Sequence, residues 1–294
     1  MDRNDKILFG ALCAMLVAAV LLAFAPNTLS TDSVAARIWS LASSTPFIAL
    51  ISTFVAAFAG TWGAQLLAER NTTRRELLRE IRAVNAAIAL AFNISNTFIT
   101  TKKQQVRDLV ITYETQNSAR KVHHQNIAAG LLPPGAPFQY SVVLQTLLPP
   151  FSPIEELRRL LEEKISTDLN PLILLTPLIQ SIAGLADSFG QRNQFIEEFR
   201  MLPLNSDAIK AALYFGLESS IGHIDDRYPN LIDAISKQTD DCIAFSILLA
   251  RALIKHGKRL GAKYGADAPR IAEPNLSKAG DLVPDLALYA AWPQ

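Results

Sequence analysis

The pair of residues in this sequence best suited to chemistry is Arg251 and His256. They lie five positions apart in the segment Arg251-Ala-Leu-Ile-Lys-His256. A guanidinium binds phosphate through paired hydrogen bonds, and an imidazole transfers protons near neutral pH. The pair therefore suits the cleavage of a phosphodiester such as RNA.

The Arg-x4-His spacing resembles the ribonuclease motif of HEPN-type helical domains. In that family two chains pair so that their Arg and His side chains line a shared cleft, and the resemblance implies catalytic roles for Arg251 and His256. It covers only these two residues, and Ala252 stands where the family usually has a polar residue. The alternative is a basic helix end, since Lys255 and Lys258 also suit the negative end of the helix dipole.

A second candidate site is His223-Ile-Asp225-Asp226, just before Pro229. An imidazole and two carboxylates are ligands for a divalent metal, and this cluster supplies at most three. A turn with acidic residues ahead of a helix explains the same residues. Glycine-rich phosphate loops, the His-Glu-x-x-His motif and the serine nucleophile elbow are absent, so no cofactor is expected.

Two long uncharged stretches dominate the N-terminal quarter of the 294 residues and raise the mean hydropathy to +0.19. They are Ile7 to Ala25 and Pro46 to Ala68. A helix of about 20 apolar residues spans the hydrocarbon core of a bilayer. The sequence therefore predicts a transmembrane hairpin with helices at about 7–25 and 46–67. The first helix is expected to be a retained anchor rather than a cleaved signal, because Pro26 follows the small residues that resemble a cleavage site.

Basic residues lie on one side of this hairpin. The connection 26–45 contains a single Arg, whereas Arg70, Arg74, Arg75, Arg79 and Arg82 follow the second helix. Because cytoplasmic flanks of membrane helices are rich in Lys and Arg, we expect a bacterial inner-membrane protein with its N-terminus and C-terminal domain in the cytoplasm. We expect Arg70, Arg74 and Arg75 to contact lipid headgroups.

Small residues recur every four positions in both apolar stretches. They are Gly10, Ala14 and Ala18 in the first, and Ser52, Ala56, Gly60 and Ala64 in the second. Such ridges let helices approach closely in lipid, either within the hairpin or between chains. Neither stretch contains an ionisable side chain of the kind that proton and ion pathways use, which disfavours transport by the hairpin alone.

Residues 68–121 are predicted to form a long, coiled-coil-like stalk helix. No Pro or Gly interrupts them, and apolar or small side chains recur with alternating spacings of four and three. The stripe loses phase at Lys102-Lys103, so a continuous helix with a kink and a helical hairpin are both open. We define the stalk stripe as Leu77, Ile81, Val84, Ile88, Ala91, Ser95 and Phe98.

The remaining chain is predicted to be helical as well. Proline clusters mark residues 122–152 as a connector, in which Phe138, Tyr140 and Val142 alternate with polar residues. Residues 153–266 are expected to form a helical-bundle domain and 267–294 an extended docking tail. Residues 122–294 contain nineteen Asp or Glu against fifteen Lys or Arg, so nucleic acid is an unlikely partner.

These observations predict an all-α membrane protein that is not an enzyme. The leading hypothesis is a membrane-anchored cytoplasmic helical module that self-associates through the stalk stripe and senses a signal or binds a cytoplasmic protein. The expected partners are the lipid bilayer and further copies of the chain. One alternative is a membrane-tethered HEPN-like ribonuclease effector that uses Arg251 and His256, and a second is an oligomeric pore-forming effector.

Overall fold

The structure is a computed structural model that describes residues 45–166, 169–203, 207–218 and 222–293. Over these residues the regular structure is helical, without a strand, which confirms the predicted all-α class. The chain divides into two compact units, Met1–Thr73 and Arg74–Gln294. The α-helices are α1 (Thr45–Thr101), α2 (Arg107–Ala128), α3 (Ile154–Glu163), α4 (Leu169–Met201), α5 (Asp207–Phe215) and α6 (Arg227–Tyr264).

In the first unit, the described residues all belong to α1. The apolar stretch 46–68 is helical from its first residue to its last. The predicted membrane helix at 7–25 lies outside the described residues. By length and composition, two described segments are apolar enough to cross a membrane, Gly60–Ala128 and Asn170–Met201. A core helix passes the same test, and Leu174, Leu178 and Phe189 of the second segment are buried in the protein core.

The stalk stripe lies in the core of the second unit. Ile81, Val84, Ile88 and Ala91 are fully buried, and they belong to one apolar cluster with residues of α4 and α6. Val84 lies so close to α6 that a Cβ added at Gly257 would be 3.0 Å from its side chain. The stripe is therefore covered by the chain's own helices rather than left for a second copy.

A short π-helix, Lys102–Val106, joins α1 to α2 at the point where the stripe loses phase. A π-turn inserts one extra residue into a helix, so it shifts the positions that face the core. After it, Val106, Leu109 and Tyr113 are buried. The shift also brings the Lys102 Nζ to 2.6 Å from the Asp240 Oδ1 of α6, which ties the irregular turn to that helix.

Helices α4 and α6 form the closest helix pair of the second unit. They run antiparallel, since Ser188 donates a hydrogen bond to Gln238 while Phe195 packs on Tyr228, with ring centroids 5.0 Å apart. Residues 242–250 of α6 are buried on every side. A helix that is apolar all round needs other elements to cover it, and α1, α4 and the C-terminal tail do so.

The tail after α6 has little regular structure beyond two short 3-10 segments, Ser277–Leu282 and Leu286–Tyr289. Asn85 of α1 fixes its beginning by donating to the carbonyl of Arg270 and accepting from the amide of Ala272. At its end, Tyr289 donates a 2.6 Å hydrogen bond to Asp241. Residues 270–289 are thus held against α1 and α6 by side-chain contacts.

Candidate functional site

The Arg251 and His256 side chains have different environments on α6. Arg251 is exposed, whereas only 6% of His256 is exposed. Five positions turn a helix by about 500°, which leaves the two side chains about 140° apart around its axis. Within one chain they do not line a common cleft. The hypothesis of a shared cleft between two chains stays a prediction.

His256 instead belongs to a three-residue polar cluster with Glu80 and Ser166, which we call the Glu80 clamp. The Glu80 Oε1 accepts hydrogen bonds from the Ser166 amide at 2.8 Å and the Ser166 hydroxyl at 2.6 Å, and it lies 3.3 Å from the His256 Nε2. Since α1 carries Glu80 and α6 carries His256, and Ser166 follows α3, the clamp joins three segments that are distant in sequence.

The order of groups in the Glu80 clamp does not suit nucleophilic catalysis. An activated serine donates its proton to a histidine, which a carboxylate then orients. Here both the serine and the histidine contact the same carboxylate oxygen, and an ordinary Glu carboxylate is a weak base. The arrangement can hold helices together, but it does not supply a general base to Ser166.

The predicted metal ligands His223, Asp225 and Asp226 lie in the turn before α6. Asp225 is engaged by Arg227, whose Nη2 lies 2.8 Å from the Asp225 Oδ2. Hydrogen bonds from Arg227 hold the pKa of the Asp225 carboxyl below its usual range. Among the described residues, no group of three or more His, Cys, Asp or Glu is placed to bind a metal ion, so the metal hypothesis gains no support here.

The least expected polar residue is Arg192 of α4, which is fully buried. Its Nη1 donates to the carbonyl of Gln145 and its Nη2 to the carbonyl of Val143. A buried cation is costly unless it is hydrogen-bonded. These acceptors are backbone carbonyls of the connector after α2, so Arg192 satisfies an irregular segment that has no strand partner in the described chain.

Three further side chains hold the same segment, residues 138–148. Asn193 contacts both backbone groups of Leu147, accepting from its amide at 2.9 Å and donating to its carbonyl at 2.7 Å. Gln116 does the same for Ser141 with one backbone and one hydroxyl contact, and Arg200 donates to the carbonyl of Leu144. The alternating Phe138 and Tyr140 thus lie in an extended segment that side chains, rather than a neighbouring strand, hold in place.

Aromatic rings fill the space beside Arg192. Tyr214 and Tyr228 lie with ring centroids 4.7 Å apart, and Tyr140 stacks on Tyr214 at 5.6 Å. Burial raises the pKa of Tyr228, although the positive charge of Arg192 opposes that effect. Burial likewise raises the pKa of Tyr140 to about 12. These phenols therefore stay protonated at physiological pH and act as packing groups.

The residues predicted for membrane contact are exposed wherever the structure describes their side chains. Ala56, Gly60 and Ala64 lie exposed on α1, and a Cβ added at Gly60 would meet nothing within 4 Å in the described chain. The Ser52 side chain and all of Gly10, Ala14 and Ala18 lie outside the described residues.

The arginines predicted to contact headgroups, Arg70, Arg74 and Arg75, are exposed as well. Arg74 also contacts the second unit, to which it belongs. Its Nη2 lies 2.9 Å from the Asp267 Oδ2, and its guanidinium carbon lies 5.0 Å from the centroid of the Tyr264 ring.

The sequence reasoning missed Arg192 and Glu80, and only Arg192 had a signal. Leu185, Phe189, Ile196 and Phe199 place apolar side chains at spacings of four, seven and three, and Arg192 falls on the same face. A charged residue on an apolar stripe is almost never buried unless it is paired. Glu80 lies beside the stalk stripe in an ordinary charged helix, so its partners could not be read from the sequence.

No protein-family model matches the chain, and comparisons with curated proteins and with solved structures gave no match. The function is therefore argued from the residues of this chain.

We predict that His256→Ala lowers the free energy of unfolding by about 1–3 kcal/mol, because Glu80 loses a partner in a nearly buried position. The matched control is Arg251→Ala on the exposed side of the same helix, which should change it by less than about 0.5 kcal/mol. Urea unfolding of the detergent-solubilised full chain, followed by far-ultraviolet circular dichroism, measures both. Equal losses for the two variants would contradict the assignment of His256 to the clamp.

We predict that Arg192→Met destabilises the chain by roughly 3 kcal/mol, because two buried carbonyls lose their donor. The loss should be accompanied by faster proteolysis within residues 129–153. Arg158→Met is the control, since Arg158 is half-exposed and pairs with Glu155 on the surface of α3. A proteolysis rate in Arg192→Met equal to that of the control would show that Arg192 does not hold the connector.

Proposed function

We propose that this chain is a bacterial inner-membrane protein whose cytoplasmic part is a non-catalytic helical module that binds a partner or senses a signal. In this proposal residues 7–25 and 46–67 form a transmembrane hairpin, and the C-terminal unit lies in the cytoplasm. The observation that carries the proposal is the course of α1, a 57-residue helix. It starts in an uncharged stretch, acquires five arginines after Ala68, and then supplies the buried stripe of a compact unit.

A helix with this course suits the transmission of a signal or a force. Its first part has the composition of a lipid-spanning segment, and its later part packs in the core of Arg74–Gln294. Because one continuous helix contributes to both units, a change in tilt or rotation on one side changes the positions of core residues on the other. This is a shear-type coupling of the kind that packed helices show.

The absence of catalytic geometry among the described residues supports a non-enzymatic role. His256, Asp225 and Arg192 all have structural partners, and the Glu80 clamp lacks the order of groups that activates a serine. Exposed apolar side chains on and beside the connector offer a surface for a protein partner. The most exposed are Leu131, Leu148, Phe151 and Met201.

Self-association through the stalk stripe loses its basis, because the core of the second unit occupies that stripe. The small-residue ridge of the apolar stretch supports self-association in another place. Ala56, Gly60 and Ala64 are exposed in the described chain, and ridges of this kind drive helix pairing in lipid through close backbone approach. We therefore propose that copies of the chain pair through this ridge. No observation on the described residues favours the ribonuclease or the pore over this role.

The topology follows from the charge asymmetry and is tested with reporter fusions at the C-terminus. We predict that a green fluorescent protein fusion is fluorescent and that an alkaline phosphatase fusion, which is active only outside the inner membrane, is inactive. Replacing Arg70, Arg74, Arg75, Arg79 and Arg82 with Gln, together with new Lys residues in 26–45, should shift activity towards the phosphatase. Phosphatase activity in the unaltered chain would contradict the proposed orientation.

Pairing through the ridge is tested by cysteine crosslinking in native membranes. In a Cys13→Ser background, we predict that Ala64→Cys or Gly60→Cys forms disulfide-linked dimers upon mild oxidation. Phe58→Cys is the control, because it lies about 160° from Gly60 around the helix axis. Dimers at all three positions alike, or at none, would contradict pairing on this face.

A further inference from the structure

The C-terminal half of α6 has one exposed, strongly basic face. It forms a shallow surface groove of about 550 Å³ that is lined by residues three or four positions apart. Between residues 251 and 263 there are five Lys or Arg and no Asp or Glu. We define the α6 basic face as the groove residues Arg251, Ile254, Lys255, Lys258, Arg259 and Ala262.

The helix dipole does not account for this charge. The dipole favours cations only within the last turn of a helix, and Arg251 lies more than three turns before the end of α6 at Tyr264. Pairing within the chain neutralises part of the face, since the Lys258 Nζ lies 2.8 Å from the Glu273 Oε1. The excess of positive charge remains large, and the groove floor at Ile254 and Ala262 is apolar.

The position of the face within the second unit decides which anion it meets. Helix α6 runs antiparallel to α1, since Glu80 contacts His256 while Lys102 contacts Asp240. The end of α6 therefore lies beside Arg74, the first residue of the unit, whose guanidinium packs on Tyr264. Six residues separate Arg74 from Ala68. Even a fully extended chain of that length spans only about 20 Å, so this end of the unit stays near the end of the apolar stretch.

We propose that the α6 basic face docks on the anionic phospholipid headgroups of the bilayer that holds the apolar stretch. The occupant is a lipid phosphate, which Arg and Lys bind by charge and hydrogen bonds, with apolar contact at the groove floor. Each basic side chain near an anionic surface contributes about 1 kcal/mol, or about five-fold in the docking equilibrium. This inference rests on the membrane anchor of the proposed function, and it adds a second, charge-dependent contact to it.

The test uses the full chain in nanodiscs made of phosphatidylcholine alone or with added phosphatidylglycerol. Ala262→Cys in a Cys13→Ser background carries a fluorophore, while Cys242 is buried and burial raises the pKa of its thiol, so it stays unlabelled. A nitroxide on the lipid headgroups should quench the label only when phosphatidylglycerol is present. A label at Ala119→Cys on α2 serves as the control position and should not respond.

The charge requirement is tested with the triple variant Arg251→Gln, Lys255→Gln and Arg259→Gln. We predict that it lowers the docking equilibrium constant about a hundred-fold, and that high salt weakens docking of the unaltered face as well. The control triple Lys103→Gln, Lys121→Gln and Lys237→Gln removes the same charge elsewhere and should leave the quenching unchanged. Equal effects of the two triples would overturn the proposal.

Two further outcomes are decisive. If a labelled RNA oligonucleotide or inorganic phosphate binds the detergent-solubilised chain through these three residues while quenching shows no dependence on lipid charge, the face binds another phosphate source and the lipid proposal is wrong. Retention of the chain in membranes after carbonate extraction separates the two hypotheses. A chain that is extracted lacks the membrane anchor, whereas a retained chain without quenching has the anchor but no lipid-docking face.

Discussion

The stripe of α1 between Ile81 and Phe98 can be buried only once, and the second unit uses it for its own core. A helix with apolar residues at alternating spacings of four and three is equally suited to a neighbour in the same chain and to a second copy. Here α6 approaches the stripe closely enough that Gly257 has no room for a side chain without displacing Val84 or Ile271. The core thus fixes α1, and α1 in turn fixes the polar contacts that depend on it.

Those polar contacts serve segments that lack regular structure. Backbone groups outside helices and strands must still find partners when they are buried. Arg192 and Asn193 supply them for the connector, and Asn85 supplies them for the tail. The Glu80 clamp has a similar role between helices. Most of the side chains that a sequence reading selects for chemistry are therefore committed to holding this fold together.

Much of the helical architecture could be predicted from the sequence, because apolar periodicity and the absence of Pro and Gly determine local structure. The stripe was visible in this way, and so was the loss of phase that the π-helix at Lys102–Val106 explains. The partner of the stripe could not be predicted, since periodicity shows which face is buried but not against what. The environment of His256 was missed for the same reason. Its contact with Glu80 joins residues 176 positions apart, and no local pattern encodes such a pair.

The account makes α1 a shared element of an apolar N-terminal stretch and a helical unit, so the burial of its stripe within one chain is the claim to test. Hydrogen exchange followed by mass spectrometry, on the full chain in lipid bilayers at several protein-to-lipid ratios, measures it directly. The account predicts that amides of residues 81–101 exchange as slowly as those of the buried α6 segment 242–253, at every ratio. Protection of 81–101 that appears only when copies are crowded together would contradict it and would return the stripe to a role between chains.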